Sequence, residues 1–241
     1  MNIKLTKLYL WTKFYKTPVC IDFTHDDVPQ DFICLTGVNG SGKTTILQVI
    51  NSFLRHLKYG EELNTFRYLN MLSAMPKVVD AAKLELLIDD ELVTVSYSSG
   101  EKISIDRTQQ VAIISVLDNN NDTEEWVGID DCCRHIFEIL DYKKHCRNIS
   151  TWSAGEQWIA KIFYLMDSFD RTLDSKILLI DGIERDVHPS LQVTLLDSIK
   201  KLAISRGYSQ VIITSNSGEI WNQFNTQGLI DMTSSVSEWC G

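Results

Sequence analysis

The sequence predicts an α/β domain: a mostly parallel sheet covered by helices on both faces, with an antiparallel β part at the N-terminal end. One observation is a buried apolar run, Asp31-Phe32-Ile33-Cys34-Leu35-Thr36, that leads through a glycine-rich stretch into a segment with helical spacing. Another is the later alternation of uninterrupted apolar runs, at Lys176 to Ile180 and Ser209 to Thr214, with helix-like segments at Ser153 to Phe169 and Ser190 to Ile204. Strands buried on both faces lose the polar alternation of half-buried ones, and strand–helix alternation implies parallel pairing. Length supplies the third, since 241 residues with 44% hydrophobic bury one core and hardly two. A single domain over residues 1–241 is expected.

In chain order, Lys4 to Trp11 and Pro18 to Phe23 alternate polar and apolar residues as half-buried strands do. Asp31 to Thr36 is a buried strand that ends at Gly37. From Lys43 onward, Ile46, Leu47, Ile50, Phe53, Leu54 and Leu57 recur at helical spacing. Residues 58–80 look helical but irregular. Residues 83–117 read as short strands broken at Asp89-Asp90 and Ser98-Ser99-Gly100-Glu101. With the polar loop Asn119 to Asp122 and a helix at Ile129 to Leu140, they make an expected β-rich and helical insertion, or lid region, over residues 58–150.

Composition excludes several classes. The longest apolar runs fall far short of the roughly 20 residues that span a bilayer, and the N-terminus lacks the apolar core of a signal peptide. A cytoplasmic protein without a membrane span is expected. The six cysteines, at 20, 34, 132, 133, 146 and 240, show no paired spacing and fit reduced thiols. A net charge of −9 argues against a broad nucleic-acid-binding face, so any such contact would be local.

Gly37-Val38-Asn39-Gly40-Ser41-Gly42-Lys43-Thr44 matches GxxxxGK[ST] without a gap, between a strand and a helix as that motif requires. The glycines let backbone N–H groups turn inward around phosphates, and the helix N-terminus adds partial positive charge. Lys43 would reach the β- and γ-phosphates of ATP, and the Thr44 hydroxyl would ligate Mg²⁺. The nucleotide-binding set is therefore Gly37, Asn39, Gly40, Ser41, Gly42, Lys43, Thr44 and Thr45.

Ile177-Leu178-Leu179-Ile180-Asp181 is an apolar run ending in an acid, the pattern of a core strand that delivers a carboxylate to the Mg²⁺. An aspartate there can also simply cap a following helix. Asp181-Gly182-Ile183-Glu184-Arg185-Asp186-Val187-His188-Pro189 resembles the Asp-Glu-x-Glu-x-x-Leu-His-Pro run of ABC-type P-loop ATPases of the RecF/SMC/OLD-like group, AAA family ATPases in the broad sense. In that group the glutamate after the aspartate polarises the attacking water. Here that position is Gly182, and loss of a general base typically slows a reaction by a factor of roughly 10² to 10⁴. Glu184 matches the second acid of the run and is a candidate to reach the water; the plainer alternative is a surface acid paired with Arg185.

Trp152-Ser153-Ala154-Gly155-Glu156-Gln157 resembles the signature loop of the same group, which binds the γ-phosphate held by the opposite subunit. Ser153 followed by Glu156 is also a capping box in its own right, and both readings hold together because a capped helix start is an anion site. Val211 to Ile220 resembles the group's last core strand, with Asn216 where a histidine usually contacts the γ-phosphate; the plainer alternative is that Asn216 caps the following helix. The resemblance implies an ATP-dependent homodimer with slow hydrolysis, a switch for a partner effector such as a nuclease, in the manner of DNA repair or anti-phage defence components. The catalytic set is Lys43, Asp181, Glu184 and Asn216; the nucleotide contacts from the signature loop are Ser153, Gly155 and Glu156; Thr44 and Asp181 hold the Mg²⁺.

Other features carry less. Cys132, Cys133, His135, His145 and Cys146 lack the spacing of structural zinc sites. Trp11, Phe14, Tyr15 and Trp152 can stack on adenine, although aromatics at such positions are more often core. Gln109 and Gln110 are weak candidates for a glutamine loop.

Overall fold

The computed structural model describes residues 2–11, 18–59, 80–98, 112–116, 152–168, 176–224 and 227–233. The expected helix at Ile129 to Leu140, the cysteine and histidine cluster, Gln109, Gln110, Phe14 and Tyr15 lie outside them.

Two sheets form the frame. The antiparallel one has the order β2-β1-β6-β7, built from β1 (Ile3–Trp11), β2 (Val19–Asp22), β6 (Ala81–Ile88) and β7 (Glu91–Ser98). The parallel one has the order β11-β5-β10-β9-β8, built from β5 (Phe32–Thr36), β8 (Ala112–Val116), β9 (Lys176–Ile180), β10 (Gln210–Ser215) and β11 (Leu229–Asp231). A small hairpin, β3 (Thr24–His25) with β4 (Val28–Pro29), turns through Asp26 and Asp27, both at positive φ. The β-rich stretch expected after residue 83 is shared between the sheets: β6 and β7 complete the antiparallel sheet beside β1, while β8 joins the parallel sheet beside β9.

Strand alternation explains the two cores. Ile33 and Leu35 of β5, Ile177 and Leu179 of β9, and Ile212 of β10 face α1 (Lys43–Tyr59) and the antiparallel sheet beyond it. Cys34, Leu178, Ile180, Val211 and Ile213 face the other way, onto α2 (Ala154–Ser168) and α3 (Pro189–Ser205). A short α4 (Gly218–Trp221) closes the end of β10. Helix α1 is thus enclosed between two sheets, with Leu47, Ile50, Phe53 and Leu54 fully buried, which is why apolar residues cover so much of its circumference.

One buried amide ties the sheets together. Gln210, at the start of β10, accepts from the Leu5 N–H at 2.8 Å and donates to the Leu5 carbonyl at 3.2 Å and the Gln30 carbonyl at 2.9 Å. Leu5 borders the bulge in β1, where the register with β6 shifts between Leu5 and Lys7. The bulge leaves backbone groups of Leu5 for a side chain of the other sheet to satisfy.

None of the described helices is long and apolar enough to cross a membrane.

Candidate functional site

The chain leaves β5 at Thr36 and turns through a loop in which Gly40 and Gly42 take φ of +85° and +88°, values that residues with a Cβ rarely adopt. It then enters α1 at Lys43. The Lys43 ammonium folds back over this loop, donating to the carbonyls of Gly37 at 2.7 Å and Val38 at 3.0 Å. Burial lowers its pKa, and the nearby charges of Glu184 and Asp181 act in the opposite direction. The ammonium is thus already directed over the loop, where a charge-assisted bond to an anion can form.

A pocket of about 550 Å³ opens over the loop. Its floor is Asn39, Gly40, Gly42 and Lys43 to Thr45; the facing wall carries Asp181, Gly182, Glu184, Arg185, Thr214 and Asn216. Gly37 and Ser41 stand behind the lining, Ser41 buried with its hydroxyl 3.4 Å from the Lys43 ammonium. The structure thus brings Lys43, Thr44, Asp181, Glu184 and Asn216 around one space, although they lie far apart in sequence.

The parallel order of β5, β10 and β9 explains this convergence, since all three strands end at the same edge of the sheet, where ligands bind in open α/β folds. Asp181 follows β9, and its carboxylate accepts from the Thr44 hydroxyl at 2.9 Å and 3.1 Å. Thr214 of β10 also donates to it, at 2.7 Å, and accepts the Gly182 N–H at 2.7 Å. Thr214 and Arg185 were missed as pocket residues. Thr214 could have been found as the polar end of a buried strand; nothing in the local pattern marks Arg185.

Around the turn after Asp181, Gly182 sits at φ +65°. Glu184 then reaches the pocket, its Oε1 accepting the Asn216 backbone N–H at 2.7 Å while its buried Oε2 has no hydrogen-bond partner among the described groups. Asn216 meets Glu184 through this main-chain N–H, so the bond itself does not depend on the residue type at 216.

Ser153, Gly155 and Glu156 do not line this pocket. They form the start of α2, where Glu156 accepts from the Ser153 N–H at 2.8 Å and from its hydroxyl at 2.9 Å. The Glu156 N–H donates back to the Ser153 hydroxyl at 3.3 Å, which completes a capping box. Behind it, α2 rests on the turn after Asp181: the Trp158 ring N–H donates to the Ile183 carbonyl at 3.3 Å, and the Arg185 guanidinium lies 5.7 Å from the Trp158 ring centroid. Trp11 and Trp152 also stand apart from the pocket lining.

No protein-family model and no curated protein matches the sequence. Among solved structures, the chain is similar to MJ1267, an ATP-binding cassette of an ABC transporter, at TM-score 0.52 and 14% identity, over 96% of this chain and 87% of that one. The fold is that of an ABC-type ATP-binding cassette. A further match is MJ0796, described as a dimeric bacterial ABC transporter cassette, at TM-score 0.49 and 14% identity over 96% of this chain and 94% of that one. In cassette terms, the described parts are an antiparallel β layer, a parallel core sheet carrying the phosphate loop and Asp181, and a helical layer that opens on Ser153.

Proposed function

We propose that this cassette is an ATP-gated switch. ATP binds over the phosphate loop, two copies close on it head to tail, and slow hydrolysis or a partner reopens them. The observation that carries this reading is the division of the site within one chain. Lys43, Thr44 and Asp181 line the pocket, while the capped helix start at Ser153 does not. A second copy supplying Ser153, Gly155 and Glu156 across the nucleotide makes use of both halves.

The donor set suits Mg²⁺. The Thr44 hydroxyl and the Asp181 carboxylate are hard oxygen donors already within 2.9 Å of each other, and Mg²⁺ is typically held by one or two such groups, with phosphate oxygens and waters completing its shell. When bound, the ion supplies neutralisation of charge developing on the phosphates. Lys43 orients the phosphates, and the Gly40 and Gly42 turns hold backbone N–H groups around them.

The RecF/SMC/OLD-like resemblance supports a partner effector such as a nuclease, with a role in DNA repair or anti-phage defence, in the cytoplasm. With a net charge of −9, nucleic acid would be touched locally or through that partner. A second reading, a non-hydrolysing nucleotide sensor or scaffold, is favoured by Gly182, where the group's usual base is absent. Light scattering with and without ATP and Mg²⁺, with phosphate release followed in the same samples, tests both. A mass shift to a dimer with slow release supports the switch; a shift without release supports the sensor; ATP binding without any shift rules out self-pairing.

A further inference from the structure

The turn after Asp181 changes which residue can serve the reaction. Gly182 holds a left-handed backbone, φ +65°, in which a side chain carries strain. Its N–H is taken by Thr214 at 2.7 Å, and the next N–H, of Ile183, by the Thr214 carbonyl at 3.1 Å. Ile183 itself is fully buried in the apolar cluster with α2 and α3. The Arg185 N–H then closes onto the Gly182 carbonyl at 2.9 Å. This tight turn makes residue 184 the carboxylate that joins Asp181 in the pocket wall.

Glu184 is held by one oxygen and unspent at the other. Oε1 is fixed by the Asn216 N–H at 2.7 Å, which sets the plane of the carboxylate. Oε2 is buried and has no partner among the described groups. A buried acceptor left unmet costs about 1–3 kcal/mol, more when charged, and is kept where chemistry or a water makes use of it.

We propose that the Glu184 carboxylate holds and deprotonates the water that attacks the terminal phosphate of ATP, in place of a carboxylate at position 182. This rests on the reading of the pocket as an ATP site. The water oxygen forms a bond to the γ-phosphorus while the bond from that phosphorus to the β,γ-bridging oxygen breaks. The electron pair of the broken bond stays on ADP, and the water proton passes to the Glu184 carboxylate and from there to solvent. Only ATP and water are consumed, and ADP, phosphate and a proton are formed.

The test is Glu184→Gln in the full chain with ATP and Mg²⁺. The amide keeps the shape and an oxygen for the Asn216 N–H but loses its basicity. Phosphate release should fall by about 10²- to 10⁴-fold, while calorimetry shows ATP still bound and light scattering shows pairing unchanged. Glu184→Asp, basic but one methylene shorter, should turn over more slowly than the wild type yet faster than Glu184→Gln. Wild-type turnover by Glu184→Gln, or loss of ATP binding together with turnover, overturns the assignment. So does an Asp variant no faster than Glu184→Gln. A wild-type protein that binds ATP and pairs without releasing phosphate also overturns it, yet leaves the switch standing; one that binds no ATP removes both.

Discussion

Gly155 lies against the backbone of Asp186: a Cβ built at position 155 would overlap the Asp186 carbonyl oxygen and come to 3.0 Å from its carbon. The start of α2 and the turn carrying Glu184 are therefore packed together without room for a methyl group. Gly155→Ala should push the two apart. Overpacking of this kind typically costs about 1–3 kcal/mol, so the thermal midpoint should drop by several degrees. The same variant should also lower phosphate release, because the turn it displaces lines the pocket. Calorimetric unfolding and a release assay on one preparation check both.

The two halves of the proposed site should separate by mutation. Lys43→Ala removes the buried ammonium and its charge-assisted bonds, worth about 1.5–3 kcal/mol each, so ATP affinity should fall by about 100-fold or more with the fold intact. Ser153→Arg places a bulky cation at an exposed helix start outside the chain's own pocket. It should cost about 1 kcal/mol through the lost cap, leave ATP binding by the single chain unchanged, and block ATP-dependent pairing. Calorimetry and light scattering distinguish the outcomes, and normal pairing by Ser153→Arg would sink the head-to-tail arrangement.

Gln210 is fully buried and satisfies both backbone groups of Leu5 and the carbonyl of Gln30. Gln210→Leu keeps the volume and strands all three. At about 1–3 kcal/mol for each of the two buried Leu5 groups, with the half-buried Gln30 carbonyl open to water, the loss of stability should be at least about 2 kcal/mol. A urea midpoint that falls with an unchanged slope would establish this.

Burial pushes the Cys34 thiol up to about 12 from an ordinary 9.0, with the charge of Glu184 acting in the same direction. A folded-state pKa above the unfolded one means that the stabilisation is complete below about pH 9 and is lost as pH rises toward about 12. Between those limits the unfolded thiol has ionised and the folded one has not, so stability should decline by up to about 1.4 kcal/mol per pH unit. Denaturation at pH 8 and pH 10, for the wild type and Cys34→Ala, isolates this contribution. Peptide mapping after alkylation at neutral pH should find Cys20, which is exposed, modified well before Cys34.

Much of this architecture was legible from local pattern. The glycine loop, the helix at Lys43 and the strand into Asp181 are each written in contiguous residues, and glycine loop and carboxylate strand meet because parallel core strands end at one edge. What escaped depends on pairing across the chain. Alternation at Ala81 to Ser98 marks strands but not their partner, and only the register of Leu86 with Leu5 shows that they extend the N-terminal sheet. Nothing in Ala112 to Val116 announces a place beside β9. Strands as short as Thr24–His25 and Leu229–Asp231 have no period to detect. At position 182 the residue type and the candidacy of Glu184 were both visible; the bonds that hold the turn, from the Gly182 and Ile183 N–H groups to Thr214, were not, because they join distant strands.

Helix α1 is covered by a sheet on either side, and the phosphate loop is its direct N-terminal extension. Amide protons along α1 should therefore be among the slowest to exchange with solvent, opening only when the whole molecule unfolds. On the proposed reading, the floor that meets the phosphates is therefore the end of a helix anchored in the core between two sheets, rather than a loop laid on the surface.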